Sequence, residues 1–146
     1  MPSIDNLLFL NELEKLKLPK NRFVICGSAP LLLRNIIDTI EDLDITVTDD
    51  LWNNLSRKYL VKRKYVKNIL KDYIQVGNIE IMHTTDGCYD KYETVFDLIK
   101  SSEIIDNYHV ITLEETINCK KYFGREKDYQ HIKLIKKYLK ENKKYK

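Results

Sequence analysis

Two acidic residues have the type and spacing for chemistry. Asp42 and Asp44 stand one residue apart in Asp42-Leu43-Asp44-Ile45-Thr46-Val47-Thr48. This stretch alternates strictly between polar and apolar, the period of a strand. Leu43, Ile45 and Val47 fall on one face, and Asp42, Asp44, Thr46 and Thr48 on the other. Two carboxylates on one face of a strand stand about 6–7 Å apart at their α-carbons, from twice the rise per residue. Converging on shared space, they suit a hard divalent cation. Mg²⁺ takes one or two protein carboxylates and completes its shell with water and substrate phosphates. The plainer alternative is a strand with a wet, acidic edge.

The elements that position this pair occupy Asn21 to Asp50. Phe23-Val24-Ile25-Cys26 is a short apolar run ending at the turn signal Gly27-Ser28, which predicts a buried strand. Ser28 is placed to cap a following helix, and Pro30 fits a first helical turn because its missing N–H is not needed there. Leu31, Leu32, Leu33, Ile36, Ile37 and Ile40 predict a strongly apolar helix up to the Asp42 strand. Gly27-Ser28 then sits at a helix N-terminus, where exposed N–H groups and the helix dipole favour a phosphate and glycine permits close approach. A phosphate seat and a metal-binding pair come from one unit.

Asp72 to Thr84 reads as a hairpin turning at Gly77-Asn78. Its returning strand puts Glu80, an acid among apolar neighbours, on one face and Ile79, Ile81 and His83 on the other; by itself Glu80 reads as an exposed edge residue. His83 reads as structural or as a partner behind the site. Ahead of the hairpin, Lys62 to Asn68 (KRKYVKN) is basic with one aromatic. It suits a triphosphate or nucleic-acid backbone, or simply protects a sheet edge. Asp49-Asp50 starts a helix through Leu51, Trp52, Leu55 and Tyr59, with Trp52 read as core rather than as a nucleobase platform. At the N-terminus, Leu7, Leu8, Leu10, Leu13 and Leu16 approximate helical spacing before Pro19, predicting a helix over 4–16 that packs on the sheet.

Beyond Asp86-Gly87 the pattern becomes helical. Tyr92, Val95, Phe96 and Ile99 predict a helix within 89–101, and Asn107 to Thr112 a short extended piece. Thr112 with Glu115 forms a capping box for a helix ending at Gly124. A last helix over 125–140 carries Tyr129, Ile132, Ile135, Tyr138 and Leu139. The lysine-rich end, Lys133 to Lys146, reads as a solvated helix face and frayed tail, with a nucleic-acid grip as the alternative.

Gly27-Ser28, a helix, then Asp42-Leu43-Asp44 in the next strand resembles the signature of the DNA polymerase β-like nucleotidyltransferase superfamily. Val110-Ile111-Thr112-Leu113-Glu114-Glu115, then Lys120, then Gly124-Arg125-Glu126-Lys127-Asp128 is similar to the tail of its small members, the minimal, abortive-infection-type and aminoglycoside-type enzymes. Together the motifs span roughly residues 22 to 140. The resemblance implies an α/β fold, a small mixed sheet with a helical C-terminal segment. It also implies Mg²⁺, two ions, held by Asp42, Asp44 and Glu80. Gly27, Ser28, Lys120, Arg125 and Lys127 would face the nucleotide, although Arg125 and Lys127 also fit a role in fixing the helix corner. Cys26 stands where many relatives have a further glycine, and Asp38, Glu41, Asp49 and Asp50 are nearby acids that compete as ligands.

The implied activity moves a nucleoside monophosphate from an NTP to an acceptor hydroxyl, with release of pyrophosphate. The acceptor is a small molecule, an RNA such as a tRNA end, or a protein hydroxyl. The competing reading is a nucleotide-binding module that keeps the fold without turnover. A chain of 146 residues fits one domain, a core over about 20–86 with a helical tail over about 87–146. Little mass remains for an acceptor site, which a homodimer would supply in trans. Hydrophobic content of 43% with 32% charged residues describes a folded globule rather than a disordered chain. A net charge of +3 is too small to imply a nucleic-acid partner. Cys26, Cys88 and Cys119 are scattered without a C-x-x-C pair, which argues against a disulfide framework or a zinc site. No apolar run is long enough to cross a membrane, and no signal-peptide pattern opens the chain, so the expectation is a cytoplasmic protein without a membrane partner.

Overall fold

The computed structural model describes residues 4–143. Lys144 to Lys146, the end of the expected frayed tail, lie outside the described residues. In chain order the elements are α1 (Ile4–Lys15), β1 (Phe23–Cys26), α2 (Ala29–Leu33), β2 (Leu43–Val47), α3 (Asp49–Lys58), β3 (Lys62–Val66), β4 (Ile69–Val76), β5 (Ile79–Met82), α4 (Val95–Ser101), β6 (Glu103–Ile105), β7 (Tyr108–Val110), α5 (Leu113–Phe123) and α6 (Glu126–Lys143). The strands form one mixed sheet ordered β3-β4-β5-β2-β1-β7-β6. The β2–β5 and β1–β7 pairs are parallel, and the β1–β2 pair is antiparallel. This is the expected α/β architecture with a helical C-terminal segment. No helix among the described residues is long and apolar enough to cross a membrane.

Both faces of the central sheet are covered, which is why β1 is apolar at every position. Phe23 and Ile25 enter one core with Leu43, Ile45, Val47, Ile79 and Ile81, roofed by Phe9 and Leu13 of α1 and Trp52 of α3. Val24 and Cys26 enter a second core with Leu98 and Ile99 of α4, Ile111 and Cys119. A third, smaller cluster of Leu31, Leu113 and Ile135 ties α2, α5 and α6 together. Trp52 is core, as expected, and His83 stacks on it with ring centroids 4.0 Å apart.

Several elements depart from the sequence expectation for local reasons. On α1 the packed face is Phe9, Leu10, Leu13 and Leu16, whereas Leu7 and Leu8 are exposed. A period of 3.6 residues cannot bring Leu7 and Leu8 onto the stripe that Phe9 and Leu13 define. The helix expected over 31–40 stops at Leu33, because Asn35 adopts the left-handed region at φ 61°. Ile36, Ile37 and Ile40 pack against the cores from irregular backbone instead. The helix expected over 89–101 starts only at Val95, where the Thr94 hydroxyl accepts from the Asp97 N–H at 3.2 Å. Phe96 faces outward. On α6, Ile132 and Ile135 are buried, while Tyr129 and Leu139 are exposed. The extended piece at 107–112 is β7, paired with the unforeseen β6 across Asp106-Asn107, both at positive φ (51° and 71°).

Other local signals hold. Gly77-Asn78 joins β4 to β5, and Thr112 accepts from the Glu115 N–H at 3.1 Å. Gly124 ends α5 in the left-handed region at φ 62°.

Candidate functional site

Register places the acidic pair. In the parallel β2–β5 ladder Leu43 stands beside Ile79, Asp44 beside Glu80 and Ile45 beside Ile81. Burying the apolar members in one core turns Asp44 and Glu80 to the other face, side by side on neighbouring strands. Asp44 is packed against Gly27. A Cβ there would collide with the Asp44 carboxylate, and Gly27 holds φ at 70°, so glycine is required on both counts. Asp42 precedes the strand and is exposed at the flank of the pair.

The electrostatics are those of an under-neutralised cluster. Burial, then the neighbouring Glu80 carboxyl, push the Asp44 carboxyl well above the ordinary aspartate range. Asp42 is raised too, by burial and by the charges of Glu80 and Glu41. The offsetting cation is Lys64 of β3, whose ammonium pairs with Glu80 and lies 4.6 Å from the Tyr73 ring centroid. Among the described residues no group of three His, Cys, Asp or Glu side chains gathers as a metal-ligand cluster. The converging unit is a pair with Asp42 beside it. Two carboxylates suit Mg²⁺, which draws its remaining ligands from water and phosphates. The donor set therefore fits that ion.

Ser28 does not cap α2. It has helical dihedrals (φ −93°, ψ −14°) and no capping hydrogen bond; its hydroxyl instead accepts from the Lys120 ammonium. With α2 only five residues long, the expected dipole contribution at Gly27-Ser28 is lost. Lys120 supplies positive charge at that point instead.

Lys120 is buried, 4% exposed, and its Nζ lies 3.5 Å from Asp128 Oδ1. Burial pulls its ammonium below the ordinary lysine range, and Asp128 opposes the shift. Asp128 is fully buried at the start of α6. It accepts from Arg125 Nε at 2.7 Å, from Arg125 Nη2 at 3.3 Å and from the Arg125 backbone N–H at 3.1 Å. Burial would raise its carboxyl, but these bonds and Lys120 hold it below the usual range. Arg125 thus fixes the α5–α6 corner, one of the two roles its motif allowed. Lys127 is exposed nearby.

One cavity of about 850 Å³ joins these parts. Gly27, Ser28, Asp42, Asp44, Glu80, Lys120, Arg125 and Lys127 all line it. The sequence singles out Lys64, also in the wall, only as part of its basic stretch, and does not point to Lys71 or to the three cysteines there. Only the β3–β4–β5 pairing shows that Lys64 reaches Glu80. His83 lies on the opposite side, on Trp52.

No protein-family model matches the chain, and no curated protein matches it. Among solved structures, a Thermotoga maritima protein described as a "putative nucleotidyltransferase" superposes with a TM-score of 0.58 at 20% identity, covering 95% of this chain and 97% of that one. At that identity the likeness is one of fold, and it extends over nearly the whole of both chains.

Proposed function

We propose that the protein is a Mg²⁺-dependent nucleotidyltransferase that moves a nucleoside monophosphate from an NTP to an acceptor hydroxyl and releases pyrophosphate. The observation that carries this reading is the register of β2 on β5. It sets Asp44 against Glu80, with Asp42 at the flank, in the wall of the cavity that also holds Gly27, Ser28 and Lys120. The shared fold is consistent with it.

Asp44 and Glu80 would hold the metal, Asp42 at their flank would join them for a second ion, and bound metal would neutralise charge on the attacking and leaving oxygens. The chain's own residues do the rest by position. The Gly27 and Ser28 backbone and the Lys120 ammonium receive the β- and γ-phosphates, leaving the α-phosphate towards the carboxylates. Glu80 is the base towards the acceptor hydroxyl once Lys64 swings off it. Lys127, exposed at the rim, is placed to meet the triphosphate or the acceptor. A cavity of this size holds an NTP with a small acceptor or the end of an RNA, and a second copy of the chain would supply further acceptor surface.

The test is incubation with labelled NTPs, Mg²⁺ and a panel of small molecules, RNAs and proteins. Transfer is expected from the wild type and not from Asp42→Ala/Asp44→Ala; transfer that survives that double change sinks the mechanism. Glu80→Gln separates an enzyme from a binding module. It should leave NTP binding largely intact while abolishing turnover.

A further inference from the structure

Cys26, Cys88 and Cys119, far apart in sequence, line one cavity wall. Cys88 Sγ lies 2.9 Å from Cys119 Sγ. Cys119 is on α5, immediately before Lys120, and Cys88 is in the segment between β5 and α4. That segment is docked on α5 independently of the thiols. Gly87, at φ 91°, packs under the Tyr122 ring, where a Cβ would meet Tyr122 Oη at 3.1 Å. Tyr92 Oη donates to the Glu115 carboxylate at 3.0 Å, and the Lys91 ammonium pairs with the same group. The backbone therefore holds the two thiols together, and a sulfur shift of about 1 Å reaches the disulfide bond length of about 2.05 Å.

We infer that Cys88 and Cys119 form a redox-responsive modification site, a dithiol that a peroxide converts into an intramolecular disulfide in the cavity wall. The Cys119 sulfur attacks the peroxide: an S–O bond forms, the O–O bond breaks, and the departing hydroxide leaves as water with the Cys119 proton. The Cys88 sulfur then attacks the Cys119 sulfenic acid: the S–S bond forms, the S–O bond breaks, and the second hydroxide leaves as water with the Cys88 proton. Two thiols lose two electrons in all, and one hydrogen peroxide becomes two waters.

The roles follow from the surroundings. Cys119 donates to the Cys88 sulfur; that contact, then Tyr89 and the neighbouring Lys120 ammonium, lower its thiol despite burial. Cys26 is a bystander. Its sulfur is 3.3 Å from Thr46 Oγ1, whereas the close thiol–thiol contact is between Cys88 and Cys119. The disulfide would fix the wall that carries Lys120. Any effect on turnover rests on the nucleotidyltransferase reading, but the disulfide does not.

The experiment treats the reduced wild-type chain with a small excess of hydrogen peroxide. The product is then alkylated under denaturing conditions and mapped by peptide mass, with intact mass and gel filtration alongside. The expected product is a monomer-sized chain with one alkylatable thiol of the original three, a Cys88–Cys119 linked peptide, and full reversal by dithiothreitol. Cys26→Ser should give the same linked peptide, and Cys88→Ser none. Three free thiols, a link that includes Cys26, a link between chains, or sulfinic acid without a linked peptide would each overturn the assignment. Because the wild type carries the readout, a poorly folding variant does not blunt the test.

Discussion

At the α5–α6 corner a fully buried carboxylate, Asp128, is met by the Arg125 guanidinium, the Arg125 N–H and the Lys120 ammonium, and its proton affinity is held down. In the cavity that Lys120 and Arg125 also line, Asp44 stands beside Glu80 with Lys64 as the neighbouring cation. Burial first, then the Glu80 charge, drive the Asp44 proton affinity up. The first cluster satisfies itself and needs no ligand. The second concentrates like charge where the fold supplies too little of the opposite sign. The difference between the two clusters is whether the protein completes the neutralisation, and the proposed cation seat rests on its being incomplete at Asp44 and Glu80.

The largest effect that tests this contrast is at the corner. Asp128→Ala strands Arg125 and Lys120 charges that now have a partner, and should cost about 3–5 kcal/mol of stability by denaturant unfolding. A loss under about 1 kcal/mol would mean that the corner is not structural. Next, Lys120→Met should leave stability nearly unchanged, because Arg125 still satisfies Asp128, yet weaken NTP binding about tenfold, roughly 1.4 kcal/mol. The smallest effect is at the acidic pair. Asp44→Asn should stabilise the metal-free chain by about 1 kcal/mol, a few degrees in Tm, by relieving repulsion from Glu80. Its sign is opposite to that at Asp128, which is the point of the comparison.

The pH dependence carries the same sign. Above the ordinary aspartate value of 3.8 and up to its raised folded value, folded Asp44 keeps a proton that the unfolded chain has lost. Stability from this group is therefore present at low pH and lost as pH rises through that window. Glu14, Asp50 and Asp128 are shifted the other way, so the readout is the difference between wild type and Asp44→Asn; the variant should lack this declining component.

The placement of the candidate residues was legible in sequence wherever one residue type dictates one backbone state or one face. The alternation of 42–48 gave the strand and the direction of Asp44. Gly77-Asn78 gave the hairpin that carries Glu80, and Gly124 gave the left-handed end of α5. Pairings that depend on distant segments were not legible. Nothing near Lys64 indicates that β3 lies two strands from β5, and nothing near Cys88 that it meets α5. The early end of α2 was hidden because the isoleucines after Asn35 keep a helical spacing while packing from irregular backbone. Ser28 misled for a related reason: its capping role was assigned locally, whereas Lys120, 92 residues away, takes the hydroxyl.

The most direct measurement is calorimetric binding of a non-hydrolysable NTP, with and without Mg²⁺, to wild type and to Asp44→Asn. If Asp44 and Glu80 form a cation seat beside a phosphate site, Mg²⁺ tightens wild-type binding by about tenfold or more, and Asp44→Asn removes most of that gain. Binding that is indifferent to Mg²⁺, or a Mg²⁺ effect that Asp44→Asn leaves intact, would contradict the account.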